Sequence, residues 1–498
     1  MEILFEKRLE TRFRESGRIN KRIQESVESV VPDTDEDIGR IAAVQSSVLL
    51  ESKDLNGRGV LITGEARAWV LGISEGQERL ISLRVVKPFS AEFEILELTG
   101  EELTQVSLSV AATDARMLNP RKLSVTFELA AELGIFKAES IVAETAPPAE
   151  SCRGLHVRCA QEELTLPNAV CEKSFVLNEQ FPFAVGKPKP ERLIGERTEL
   201  RMEGCQLIGS KAVVKGRAVM EITCLAEDGS LPVQLRMEAP FSQILEIGCE
   251  TMDLCSVKPQ LTGAYFDLAD SISGEKVLDT ELHILLQLVC SSRVTIQSVA
   301  DAYSNLMPLS AKTDTQRFDS AEESRTLRIS AADSIELKED CADLLCVFPT
   351  LSRCTLDNGR LSALISFDIL YRSAGGELSA LRRTLTAEED CGTGDFRLLS
   401  AALTEAELRP AGKSMEARIT LEAQLLCTKT TEIVSISAVS LDEEQVFDSG
   451  SFPTLTMVRQ EGESLWELAK RYHSSVEAIE AFAAADTSSG MLLIPKSM

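Results

Sequence analysis

The chain carries one pattern three times over, and that internal repeat limits what it can fold into. The pattern first runs from Val60 to Ile95 (VLITGEARAWVLGISEGQERLISLRVVKPFSAEFEI). It returns from Ala212 to Ile247 (AVVKGRAVMEITCLAEDGSLPVQLRMEAPFSQILEI) and from Arg360 to Asp390 (RLSALISFDILYRSAGGELSALRRTLTAEED). Each copy alternates apolar and polar residues, breaks at a polar turn holding Gly76, Gly229 or Gly375-Gly376, and alternates again. Period-two alternation on both sides of a glycine turn is the signature of a β-hairpin. The punctuation matches as well. Pro88-Phe89-Ser90 recurs as Pro240-Phe241-Ser242, and Gly64, Gly216 and Ala363 occupy one aligned position. Downstream, Lys122–Thr145, Asp279–Ala302 and Glu416–Val439 align as long alternating stretches, each expected to hold two successive strands.

The expected fold is therefore multidomain and mainly β. It comprises three homologous units of about 150 residues, followed by a small βααβ module. The expected limits are 1–146, 150–303 and 320–441 for the units, 442–452 for a linker, and 453–498 for the module. Composition places the connections at Ala146-Pro147-Pro148-Ala149, at the polar Ser304–Asp319 with Pro308, and at the acidic Asp442–Phe452. In the module, Leu455–Arg459 reads as a strand, and Ser464 with Glu467 as a capping box opening a helix. Leu465, Leu468 and Ala469 recur on one face of that helix, while Glu467, Lys470 and Arg471 face water. A second helix and a closing Leu-Leu-Ile-Pro strand complete the module.

Charge and cysteine usage narrow the function classes. A net charge of −26 disfavours nucleic acid and anionic lipid, both of which call for a basic face. No run of about 18 apolar residues spans a membrane. The start, MEILFEKRLETRFRES, is charged from the outset and lacks the apolar stretch of a secretion signal, so a cytosolic location is expected. All thirteen cysteines fall between Cys152 and Cys427, without a C-x-x-C pair or a zinc-type spacing. Many lie in apolar runs, as Cys224, Cys290 and Cys427 do, and read as free buried thiols. Cross-linking in a later oxidising setting stays open.

No motif for chemistry stands up. Asp33–Asp37 begins like a calcium loop but has Ile38 at the sixth position and Val44 at the twelfth. It reads instead as a turn leading into a helix. Cys391-Gly392-Thr393-Gly394 lacks the Gly-Lys-Ser/Thr of a phosphate loop, and no nucleophile elbow occurs. The three histidines, His156, His283 and His473, are scattered, and the H-x-x-C of His156 and Cys159 reads as packing. No enzymatic activity, cofactor or metal is expected.

Two resemblances complete the reading. The segment from Leu455 to Pro495 resembles a LysM module. Ser29–Ile41 (SVVPDTDEDIGRI), followed by VLITGEARAWVL, resembles the SPOCS domain of spore-coat-associated proteins in endospore-forming Firmicutes. Val185–Gly195 keeps a degraded form of the first motif, and Asp333–Leu345 stands in its place in the third unit. Three such units before a LysM module imply a coat assembly adaptor in the mother-cell cytoplasm, at the forespore surface. Its implied partners are a SpoIVA-like coat ATPase and other coat proteins. Sugar-binding LysM modules carry Gly-Asp-Thr in the first turn and an Asn after the second helix. Here the turn is Gly462-Glu463-Ser464 and the second helix runs into AFAAADTSSG. The resemblance thus implies a protein-binding surface, with peptidoglycan as the alternative ligand. The candidate surface is Glu463, Ser464, Trp466, Lys470, Arg471, Tyr472 and His473, with Trp466 also expected to pack partly in the core.

Overall fold

The computed structural model describes residues 2–76, 79–95, 98–148, 154–183, 189–226, 232–270, 276–447, 455–459, 462–483 and 491–496. The Gly229 turn, Cys152, Val185–Pro188 and the end of the acidic linker lie outside the described residues.

A short strand, β1 (Glu2–Leu4), precedes three sets of six. The first is β2 (Glu6–Val30), β3 (Ile38–Asn56), β4 (Gly59–Ser74), β5 (Leu80–Glu94), β6 (Leu103–Asn119) and β7 (Lys122–Ala146). The second is β8 (Leu155–Pro182), β9 (Pro190–Ile208), β10 (Lys211–Ala226), β11 (Val233–Glu246), β12 (Leu254–Asp270) and β13 (Lys276–Ser304). The third is β14 (Leu309–Glu336), β15 (Cys341–Asp357), β16 (Arg360–Ser373), β17 (Leu378–Asp390), β18 (Phe396–Ala411) and β19 (Ser414–Leu441). The tail holds β20 (Leu455–Arg459), α1 (Leu465–Arg471), α2 (Val476–Ala483) and β21 (Met491–Pro495).

Each set folds alike. Its second to fourth strands form an antiparallel meander, and its sixth strand pairs antiparallel with both the first and the fifth. Alternation drives the burial between these layers. In β7 the residues Leu123, Val125, Phe127, Leu129, Ala131, Leu133 and Ile135 all point inward, meeting Val60, Ile62, Phe89 and Phe93 of the meander. Equivalent cores form around Leu282–Cys290 of β13 and Met415–Leu425 of β19.

Three readings from the sequence need correction. The downstream stretch of each unit is one strand rather than two, 25 residues long in β7 and 29 in β13. Alternation continues without a turn because the distal half has a second layer to bury against. The polar Ser304–Asp319 stretch is mostly strand, since β14 begins at Leu309 and pairs with β19 from Leu441 onward. It looked like a linker because the early β14 side chains are largely solvated while the backbone is held by β19. Asp33–Asp37 leads into strand β3, not a helix. Arg121 caps that turn, its Nη1 donating to Asp37 Oδ1 at 2.8 Å and its Nη2 to the Pro32 carbonyl at 2.8 Å. Its fork of donors satisfies acceptors that a helix N-terminus would otherwise take.

The units share cores. The distal halves of the long strands meet in one cluster, with Ile141 and Ala143 from the first unit. Leu164, Val294 and Ile296 come from the second, and Phe318 and Ile433 from the third. The meander ends meet in another, through Ala43 and Ile73, Ile194, and Phe348 and Leu370. Glutamines close open strand edges at contacts between units. Gln287 accepts from Val106 N at 2.8 Å and donates to Val106 O at 2.7 Å. Gln316 does the same for Val142, and Gln234 for Val347. A primary amide offers both a donor and an acceptor, so one side chain replaces the missing strand neighbour. An ion network also crosses all three units: Arg397 binds Glu15, Arg18 bridges Glu15 and Glu132 at 2.7 Å each, and Lys258 binds Glu132.

No helix among the described residues is long and apolar enough to cross a membrane.

Candidate functional site

The site is the tail and the surface on which it sits. Ser464 caps α1 as its sequence requires. Its Oγ accepts from Glu467 N at 3.3 Å, and its own N–H donates to Glu467 Oε2 at 3.0 Å. Leu468, Ala469, Ile479 and Ile494 form the buried centre, flanked by Val458, Leu465, Val476 and Leu492. The helix stops where His473 turns to a positive φ of 51°, and Ser474 N then bonds Ala469 O at 2.9 Å. Ser474 is fully buried and donates its hydroxyl to the Pro495 carbonyl, tying the helix connection to β21.

The fifth member of that centre is not from the tail. Tyr303, at the end of β13, packs into the cluster and donates its hydroxyl to Ser474 O at 3.0 Å. Its ring stands edge-on to Trp466 at 4.9 Å and stacks on His156 at 5.0 Å. Two residues earlier, Asp301 accepts from Trp466 Nε1 at 2.8 Å and from Lys470 Nζ at 2.7 and 3.0 Å. Arg158, paired with Asp301 across the β8–β13 ladder, lies 5.6 Å from the Trp466 ring centroid.

A register shift makes this possible. Simple alternation would put Val299, Asp301 and Tyr303 on one face. The ladder to β8 slips between Val299 and Asp301, so Val299 and Ala302 enter the inter-unit cluster with Ile436 and Val439. Asp301 and Tyr303 are left facing the tail. A bulge of this kind re-aims side chains without ending the strand.

Electrostatics follow from the geometry. Burial pushes the Asp301 carboxyl up, but the hydrogen bonds from Lys470 and Trp466 and the Lys470 charge bring it below its ordinary value. Burial lowers His156, with the Glu477 charge opposing, and raises Tyr303. His473 is lowered by burial and by Lys496.

The candidate residues from the sequence thus separate. Trp466 and Lys470 engage the second unit, Ser464 is the helix cap, and Glu463 pairs with Arg471 at 3.0 Å on the exposed side. Tyr472 is half-buried against the tail centre, and His473 lies 3.9 Å from Phe447 of the linker, ring to ring. Trp466 packs partly in the core, as expected, although Tyr303 of that core belongs to the second unit. Sequence reasoning missed Asp301, Tyr303 and Arg158. The signal was present only as an acidic and an aromatic residue two apart near a strand end. His156 and Cys159 lie three apart on one strand and so point to opposite faces, which keeps them from acting together.

Elsewhere, the twelve described cysteines are free, with Cys255 and Cys290 Sγ 3.9 Å apart. Among the described residues, no group of three or more His, Cys, Asp or Glu side chains has a metal-holding arrangement. What fold and site define is a multidomain β protein with a βααβ element seated on its second unit. Comparison with models of protein families, with curated proteins and with solved structures finds no match.

Proposed function

We propose that the chain is a non-enzymatic adaptor of spore coat assembly, SipL-like in architecture. It would bind a SpoIVA-like coat ATPase through its LysM-like tail at the forespore surface, in the mother-cell cytoplasm. The observation that supports this most is the pairing of a small, well-capped βααβ element with a body of three interlocked β units. Such a body suits a fixed spacer, because shared cores and glutamine clamps resist relative movement of the units. The tail's first turn favours protein over sugar. Glu463 is held by Arg471 rather than offered to a ligand, and the Asp and Thr of glycan-binding modules are replaced.

The test is capture by the full chain of a purified SpoIVA-like ATPase, run beside a peptidoglycan pelleting assay. Saturable ATPase binding that weakens with Arg471→Glu, while circular dichroism stays unchanged, supports the adaptor. Peptidoglycan pelleting with no ATPase capture overturns it in favour of a cortex- or wall-binding role.

A further inference from the structure

We propose that the tail is held shut on its own body. The Asp301-Ala302-Tyr303 end of β13 occupies in cis the surface with which the tail takes its partner in trans. The partner segment that replaces it would carry the same chemistry: a strand bearing a carboxylate and an aromatic ring two residues apart. The proposal rests on the adaptor reading above and adds to it the partner's chemistry and the state of the free protein.

Four contacts carry it. Asp301 receives three charge-assisted or indole hydrogen bonds from Trp466 and Lys470. The Tyr303 hydroxyl reaches the Ser474 carbonyl, a main-chain group at the end of α1. The Tyr303 ring completes the apolar centre around Leu468, Ala469 and Ile479, so the docked strand fills a place in the tail's own core. Arg158 lies over the Trp466 ring, 5.6 Å from its centroid. Carboxylate and ring lie on one face of the strand, as i and i+2 residues do. The tail therefore reads a two-residue spacing on an extended segment. That mode of recognition combines main-chain contact with side-chain pockets.

Residues 442–447 run back along the connection between β13 and β14, with Asp442 N bonded to Pro308 O at 3.0 Å and Phe447 N to Leu306 O at 2.8 Å. Residues 448–454 then join Phe447 to β20. A short tether keeps the tail close to its cis site at high effective concentration. A partner must therefore exceed that local competition, and its apparent affinity falls by the closed fraction.

The experiment uses the full chain. The sequence has two tryptophans, so Trp69→Phe leaves Trp466 as the sole reporter. In that background Asp301→Ala is expected to shift Trp466 emission to the red. It should also tighten capture of the SpoIVA-like ATPase by about tenfold, because at least two charge-assisted hydrogen bonds of the closed state are lost. Tyr303→Phe, which keeps the ring and removes only the hydroxyl, should produce a smaller change in the same direction. A synthetic peptide of residues 297–305, added to the Asp301→Ala chain, should reverse the emission shift and compete with the ATPase. The same peptide with alanine for its aspartate should do neither. Unchanged emission in Asp301→Ala overturns the docked state. A red shift with unaltered ATPase affinity overturns the occlusion while leaving the adaptor reading intact. A red shift in a chain that captures no ATPase, docked or open, overturns the adaptor reading and the occlusion with it.

Discussion

Substituting Gly64 by alanine probes whether the repeat is a packing unit or only a sequence pattern. Gly64 faces Phe89 across the β4–β5 ladder, and Gly216 faces Phe241 across β10–β11. The third unit has Ala363 opposite Ala387 at that place. The pairing is glycine with phenylalanine twice, and alanine with alanine once. A Cβ built on Gly64 would lie 2.3 Å from the Leu49 carbonyl oxygen and 2.7 Å from Phe89 Cζ. On Gly216 it would lie 2.6 Å from Phe241 Cζ and 2.7 Å from the Arg201 carbonyl oxygen. The ring lies over the glycine, and its other side is buried in the unit core. The ring has little room to retreat, and the carbonyl belongs to a paired strand. Gly64→Ala should therefore sit at the costly end of overpacking, about 3 kcal/mol. Phe89→Ala should cost about 3–5 kcal/mol through the cavity it leaves. The double variant reproduces the third unit's alanine pair. It should cost less than the sum by on the order of 1–2 kcal/mol, because the ring clash is gone while the carbonyl clash stays. Trp69, on the same strand, reports the unit's unfolding in urea once Trp466 is replaced by Phe. A Gly64→Ala midpoint within about 0.5 kcal/mol of the parent, or strict additivity of the pair, would refute the argument.

Other outcomes follow from single contacts. Gln287→Ala leaves the Val106 N–H and C=O without their shared partner and should cost about 2–4 kcal/mol, seen as faster amide exchange at Val106. Ser464→Ala removes the α1 cap and should weaken the tail by about 1 kcal/mol, read from helical dichroism on heating. Glu102 accepts from Thr99 N, Thr99 Oγ1 and Gly100 N, with Thr99 the main cause of a carboxyl lowered to about 2. A lowered folded value means that this stabilisation is complete above the unfolded value of about 4.3 and fades as pH falls towards 2. The melting-point gap between parent and Glu102→Gln should accordingly close between pH 5 and pH 2, and a constant gap would contradict it. A water-soluble thiol reagent should label exposed Cys159 first. Cys224, pushed up to about 12 by burial, and Cys346, raised for the same reason, should react only on unfolding, as mapped by mass spectrometry.

The local code was readable because its signals are local. Ser464 and Glu467 specify a cap whatever surrounds them, and both hydrogen bonds of the capping box form. Alternation at Val60–Ile95 and its two copies specifies hairpins, and β4–β5, β10–β11 and β16–β17 pair antiparallel accordingly. Where reading failed, the partner lay far along the chain, in the same unit or in another. The beginning of β14 is polar because β19 satisfies its backbone while its side chains stay in water, so composition alone resembled a linker. The single long strands looked like pairs because a lone unit has nothing to cover a distal half.

The amino-acid sequence by itself therefore determined the three hairpins, the threefold repetition and the βααβ tail, since periodicity and capping act within a few residues. Only the tertiary structure decided which faces are shared. The slip in the ladder after Val299 turns Asp301 and Tyr303 towards the tail, and Trp466 and Lys470 answer from more than a hundred residues away. Contacts at that separation depend on three units closing on common cores, and no local pattern records that closure.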